Sequence, residues 1–233
     1  MPAPSDWVIL TNSFYFIYYI IDIIRNKKNC IIKEIMNTRG HIDSFHMMVV
    51  GKYFDSAEDF MNVEYVNKKY RDLTAKYKYN PIALSDDMSR KIFSNIETQH
   101  VYNENDKVLK DGEIKGHVYW YRVSYSEYKK NERENEEYKI IEYTKSDREE
   151  YGNEIPECVS VIGDGCFSCC YSLTSLSIPS SISVIGKNCF SCCNSLRSLS
   201  IPSSVSVIGE ECFNECESLS SLSIPSSISV IGD

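Results

Sequence analysis

From Ile155 onward the apolar residues recur every 23 positions, and the polar residues between them keep the same phase. Three segments align without a gap: IPECVSVIGDGCFSCCYSLTSLS (155–177), IPSSISVIGKNCFSCCNSLRSLS (178–200) and IPSSVSVIGEECFNECESLSSLS (201–223). A fourth, IPSSISVIGD, runs to Asp233. Neighbouring segments agree at 16 of 23 positions, so they read as successive coils of one repeat. Leu173, Leu176 and Ile178 mark an L-x-x-L-x-I step, which predicts a short strand with alternate side chains turned inward. Pro179, Pro202 and Pro225 follow it, where a fixed φ turns the chain and no ladder N–H is needed. Val184-Ile185-Gly186 and its copies are expected to send a second apolar pair inward and then to turn on glycine. Cys189, Phe190 and Cys193, with their copies, are expected to fill the opposite wall. One coil buries too little apolar surface to offset the entropy of ordering it, so stacking has to supply the stability.

Before residue 155 the pattern changes. Val8–Ile24 is apolar over about one membrane span and precedes Arg25, Lys27 and Lys28. A secretory signal would carry its basic residues ahead of the run and a small-residue cleavage site behind it. Thr11, Asn12, Ser13 and Asp22 would each cost free energy in hydrocarbon. Three readings of residues 1–35 stay open: a helix covered by the protein or a partner, a membrane anchor, or an extension outside the working protein, which would then begin near Met36. Residues 45–72 predict two short helices, one with Met47, Met48, Val50, Tyr53 and Phe54 on its apolar face. The second begins at Ser56 as N-cap, with Asp59 near the positive helix end, and carries Phe60, Val63, Val66 and Tyr70 at helical spacing. His117–Tyr125 is aromatic and predicts a core strand. Ser126–Glu150 is dense in charges of both signs and predicts a solvated helix or linker.

The coil pattern I-P-S-S-h-S-V-I-G-x-x-C-F-x-x-C-x-S-L-x-S-L resembles the BspA-type leucine-rich-repeat family, over residues 155–233. The resemblance implies a right-handed solenoid used for protein–protein contact, with no catalytic residue. One departure stands out: Cys169 and Cys192 fill a slot where glycine or another small residue is expected. Phe93–Tyr102 resembles a degenerate strand of the same repeat, which would cap the first coil. Val63-Glu64-Tyr65-Val66-Asn67-Lys68-Lys69-Tyr70 is similar to the h-x-x-V-x-K-x-[WY] step of an F-box-like module, without its leading Leu-Pro. The 41–154 region as a whole looks like the part that precedes such repeats in amoebic proteins. The fold class is therefore α+β, with a helical or mixed N-terminal cap region followed by a leucine-rich-repeat β-solenoid of 23-residue coils. The expected divisions are an apolar segment at 1–35, a helical F-box-like or cap region at 36–110, an aromatic strand and charged linker at 111–154, and the solenoid at 155–233.

Charge and cysteine content refine this picture. A net charge of −8 argues against attraction to nucleic acid or acidic lipid. Of the 10 cysteines, all but Cys30 lie between Cys158 and Cys216. Cys166–Cys169 and Cys189–Cys192 are C-x-x-C pairs, so zinc or disulfide chemistry enters as an alternative. Because Cys166, Cys189 and Cys212 share one slot, and Cys170, Cys193 and Cys216 another, buried structural thiols are the leading reading. No cofactor and no metal is expected. His41, His46, His100 and His117 show no catalytic or metal-binding spacing, and no phosphate-binding glycine loop occurs. The absence of any N-x-Ser/Thr sequon favours a reducing, cytoplasmic setting over the cell surface.

Function then points away from catalysis and toward a binding scaffold. Thr174, Arg197 and Ser220, with Ser177, Ser200 and Ser223, are the expected outward rungs of a partner-binding ladder. Lys187, Glu210 and Glu211 project from a turn beside it and are expected to meet a basic patch. An F-box-like substrate adaptor for a ubiquitin ligase and a surface adhesin are the alternatives. Self-association through the apolar face of the fourth coil, at Ile231-Gly232-Asp233, is a further expectation.

Overall fold

The structure, a computed structural model, describes residues 44–66, 68–84 and 87–232. Val8–Ile24, a start near Met36 and His41 lie outside the described residues. The chain divides into two compact units that meet between Val118 and Tyr119.

In the first unit, α1 (Ser44–Gly51) and α2 (Ala57–Val66) form where two helices were expected. Ser56 starts α2 by a reciprocal cap. Its hydroxyl accepts from Asp59 N at 3.3 Å, while the Asp59 carboxylate accepts from Ser56 N at 3.1 Å. Met47, Val50, Phe54, Phe60 and Val63 are buried; Tyr53, past the end of α1, is exposed. Phe60 lies edge-on to Phe54, Tyr77 and Phe93 at 4.8, 5.7 and 5.1 Å, which makes it the centre of this core. The F-box-like step does not lie on one helix. α2 ends at Val66, and Lys68–Tyr70 forms a separate 3-10 turn. Beyond a second 3-10 turn (Thr74–Lys76) and α3 (Asp87–Ile92), β1 (Thr98–Val101) is tied down by buried Asn80. The Asn80 amide donates to Ile82 O and His100 O and accepts from His100 N. His100 also stacks on Tyr79 at 4.4 Å, and His117 Nε2 sits 3.1 Å from Leu109 O. Both histidines are packing residues.

The second unit holds the coils. β2 (Gly116–Ser124) lies largely within it, followed by α4 (Tyr125–Asn131), β3 (Glu136–Tyr143) and α5 (Lys145–Tyr151). The dipeptides β4 (Val161–Ile162), β5 (Val184–Ile185), β7 (Val207–Ile208) and β9 (Val230–Ile231) continue from β3 in the order β2-β3-β4-β5-β7-β9. From β3 onward every pairing is parallel, and between coils the register is one full period, Val184 opposite Val207 and Ile185 opposite Ile208. A second, two-stranded sheet pairs β6 (Ser198–Ser200) with β8 (Ser221–Ser223) in parallel.

Three expectations change here. Ser126–Glu150 opens with a solvated helix, α4, as expected, but the rest is no linker: Tyr143 and Asp147 are fully buried, and β3 pairs with the first coil through Glu142 opposite Val161 and Tyr143 opposite Ile162. The strand that seals the first coil is therefore β3, and not the 93–102 segment, which belongs to the first unit. Nor does each V-I-G triplet send two apolar residues inward. In β5 and β7 only the isoleucine is buried, because successive strand residues face opposite sides. The glycine that follows is required by close approach. A Cβ on Gly186 would lie 2.6 Å from Asp164 N, and one on Gly209 would lie 2.5 Å from Lys187 N. As expected, each proline begins a tight turn, with Ile182 N donating to Pro179 O and Val205 N to Pro202 O.

Candidate protein-binding surface

Each coil is fastened to its neighbours along more than one wall. On the V-I-G wall the later coil donates to the earlier: Ser183 N to Ser160 O, Gly186 N to Ile162 O and Gly209 N to Ile185 O. On the C-F wall the direction reverses, with Gly165 N donating to Lys187 O, Phe167 N to Cys189 O and Cys169 N to Ser191 O. The repeated serine before V-I-G strengthens the first wall. Ser183, Ser206 and Ser229 each donate through both N and Oγ to the serine carbonyl one coil earlier. The column is constant in every coil, at Ser160, Ser183, Ser206 and Ser229, and that constancy is its signal in the sequence.

Between the walls lies the core. Phe167, Phe190 and Phe213 stack at 5.5 and 5.6 Å with nearly parallel rings. Cys166, Cys189 and Cys212 are buried beside them, as the shared slot implied. Burial pushes the Cys166 and Cys212 thiols up to about 12, so neither is a thiolate near neutral pH. Cys193 and Cys216 donate through Sγ to Phe167 O and Phe190 O at 3.1 and 3.0 Å. These thiols are structural.

The expected binding residues all reach the surface but fall in separate places, only Ser200 and Ser223 within strands. Thr174, Ser177, Arg197, Ser200, Ser220 and Ser223 are all exposed. Ser200 faces Ser223 across β6 and β8, with Leu199 buried between the two outward serines of its own strand. Thr174 O accepts from Arg197 N, and Arg197 O from Ser220 N and Oγ, so these three form a second outward row. In the first coil, residues 174–177 are not in a strand, and the row there is carried by the Arg197 contact alone.

Lys187, Glu210 and Glu211 occupy the V-I-G side instead. Lys187 N donates to Asp164 Oδ1 at 2.8 Å, and Lys187 Nζ meets Glu210 Oε2 at 2.7 Å. Asp164, Lys187 and Glu210 thus form an exposed column in which Lys187 pairs with Glu210 and the net charge stays negative. At the far end of the coils Ile224, Val230 and Ile231 are exposed. No helix among the described residues is long and apolar enough to cross a membrane.

Residues 152–233 match the model of the BspA type leucine rich repeat region, in 6 copies. Two solved structures are similar in part. A leucine-rich repeat protein from Bacteroides ovatus shares 16% identity over 59% of this chain and 37% of its own, with a TM-score of 0.32. The leucine-rich repeat protein of T. pallidum shares 22% identity over 57% of this chain and 68% of its own, also with a TM-score of 0.32. The chain thus spans little more than a third of the Bacteroides protein. No curated protein matches it.

Proposed function

We propose that this chain, whose residues 152–233 carry a BspA type leucine-rich-repeat region, is a non-enzymatic scaffold that binds a protein partner through the serine-rich face of its solenoid. The observation that carries this reading is the fixed outward row on β6 and β8. Ser198, Ser200, Ser221 and Ser223 are held in register by a parallel ladder, with Arg197 the lone charge beside them. Short hydroxyl side chains on a rigid backbone lose little entropy on binding and offer donors and acceptors at a strand spacing of about 4.8 Å. A polar protein surface suits such a row. In the charge column of Asp164, Lys187 and Glu210 the one cation is already paired with Glu210, and exposed pairs of this kind contribute little, which makes it a weaker docking candidate than the serine row.

The thiols that fill the core, with Cys166 and Cys189 fully buried and unbridged, fit a reducing compartment, and a cytoplasmic location is part of this proposal. Photo-cross-linking from Ser200 or Ser223 in cells tests the surface. A discrete protein adduct should form at these two positions and be absent from Glu217, which lies off the row. Equal labelling at all three, or none at Ser200 and Ser223, would overturn the assignment.

A further inference from the structure

We propose that Cys169 and Cys192 are a peroxide-responsive pair that closes into a disulfide and ties the first coil to the second. The two occupy one slot, 23 residues apart, on the C-F wall. Both have the left-handed backbone conformation, at φ 58° and φ 60°, so their side chains leave the backbone in the same sense. Cys169 N donates to Ser191 O at 2.8 Å, which places the two cysteines on directly adjacent rungs. A rung spacing of about 4.8 Å falls inside the Cα separation that a disulfide spans.

Their surroundings differ from those of every other thiol in the coils. Cys169 is exposed and Cys192 half-buried, whereas Cys166, Cys189, Cys193 and Cys212 are enclosed. Cys170 and Cys216 are half-buried with thiols raised by burial, and Cys158 is off the repeat phase. The Ser168 hydroxyl, then Tyr171 and Cys192, hold the Cys169 thiol below its ordinary range. The third residue of the column is Glu215, itself left-handed at φ 55°. Its Oε2 accepts the Cys192 Sγ–H at 3.3 Å. The Ser191 hydroxyl works to lower the Cys192 thiol, but the Glu215 carboxylate and burial outweigh it and raise it, so Cys192 keeps its proton until the Cys169 sulfur is oxidised.

The chemistry divides accordingly. Cys169 thiolate attacks one oxygen of hydrogen peroxide; the O–O bond breaks, a sulfenic acid forms, and the departing hydroxide becomes water on protonation. Cys192 then attacks the Cys169 sulfur as its thiol proton is released. The S–O bond breaks, and the leaving hydroxide takes that proton as a second water. Two thiols lose two electrons in total, and the peroxide gains them.

The full chain, reduced and then treated with hydrogen peroxide, tests the pair. After alkylation and tryptic digestion without reductant, Lys187 separates Cys169 from Cys192, so the disulfide should join peptide 149–187 to peptide 188–197. Cys169→Gly and Cys192→Gly, which suit the left-handed slot, should each abolish this product, and Cys170→Ala should retain it. Glu215→Gln should speed closure and leave less sulfenic acid at Cys169 for a trap to label, because without the carboxylate's charge more thiolate forms at Cys192. A bridge that survives Cys169→Gly, or oxidation of Cys169 to sulfinic acid with Cys192 still a free thiol, would overturn the proposal. So would a chain that gives no cross-linked product at all.

Discussion

Two slots in every full coil demand a left-handed backbone, yet only one of their six occupants is glycine. Gly165, Asn188 and Glu211 share the first slot at φ 59°, 50° and 51°; Cys169, Cys192 and Glu215 share the second. A side chain with a Cβ pays about 1 kcal/mol or more there, asparagine less than the others. Replacing Glu211 or Glu215 by glycine should therefore raise unfolding free energy by about 0.5–1 kcal/mol in denaturant titration under reducing conditions. Unchanged or lower stability would show that contacts made by these glutamates outweigh the strain. The second slot was readable from sequence, because cysteine stood where a small residue was expected. Its reason, a positive φ, was not.

Asp147 is the other informative residue. Fully buried, it accepts from Thr144 N at 2.8 Å, Thr144 Oγ1 at 2.7 Å and Ser126 N at 2.8 Å. Desolvation works to raise its pKa, but these hydrogen bonds outweigh it and the carboxyl is lowered. A depressed folded value means that its contribution is present above the unfolded value of about 3.9 and is lost as pH falls through the folded one. Acid titration of Asp147→Asn should accordingly show a shallower loss of stability below about pH 4 than the parent chain. Identical slopes would remove Asp147 from that role.

At the scale of elements, the coil is a set of columns, and a column is strongest in its middle. Phe190 is fully enclosed between Phe167 and Phe213, while Phe213 is only partly buried. Phe190→Ala should cost about 3–5 kcal/mol and Phe213→Ala clearly less. Calorimetry or denaturant melts would decide it, and equal losses would contradict the column picture. The coil columns were legible because identical slots had to serve identical ends. The capping strand β3 was not. In Glu136–Tyr143 the face that buries Ile141 and Tyr143 starts with exposed Glu137 and Lys139, so charge and apolar residues share one face and no clean alternation shows. Thr144-Lys145-Ser146-Asp147 is nonetheless a capping-box sequence, and the box forms at the start of α5. A helix start immediately after a run rich in isoleucine and tyrosine was the missed clue.

Across the whole molecule, the two units have separate apolar cores, one around Phe60, Tyr77 and Phe93, the other running from Val123 through the coils to Cys212. Two unfolding transitions are expected. Phe60→Ala should move one and Phe190→Ala the other; a single transition shifted by both substitutions would mean one cooperative unit. The N-terminal unit was legible only as helices with apolar faces. Its Asn80 network joins residues about 20 apart in sequence, and no short pattern announces that.

The one-period register has a consequence for how such a chain can change length. Strand pairing, the serine bonds and the phenylalanine column join each slot to the same slot 23 residues away, and the other backbone links on both walls repeat with that period. Adding a single residue inside a coil shifts all later slots out of phase, whereas removing residues 178–200 brings Ile201 to the place of Ile178 and restores every pairing. The natural unit of deletion and duplication is the coil. A chain without 178–200 should keep its fold at reduced stability, and one without a single residue of that stretch should lose more.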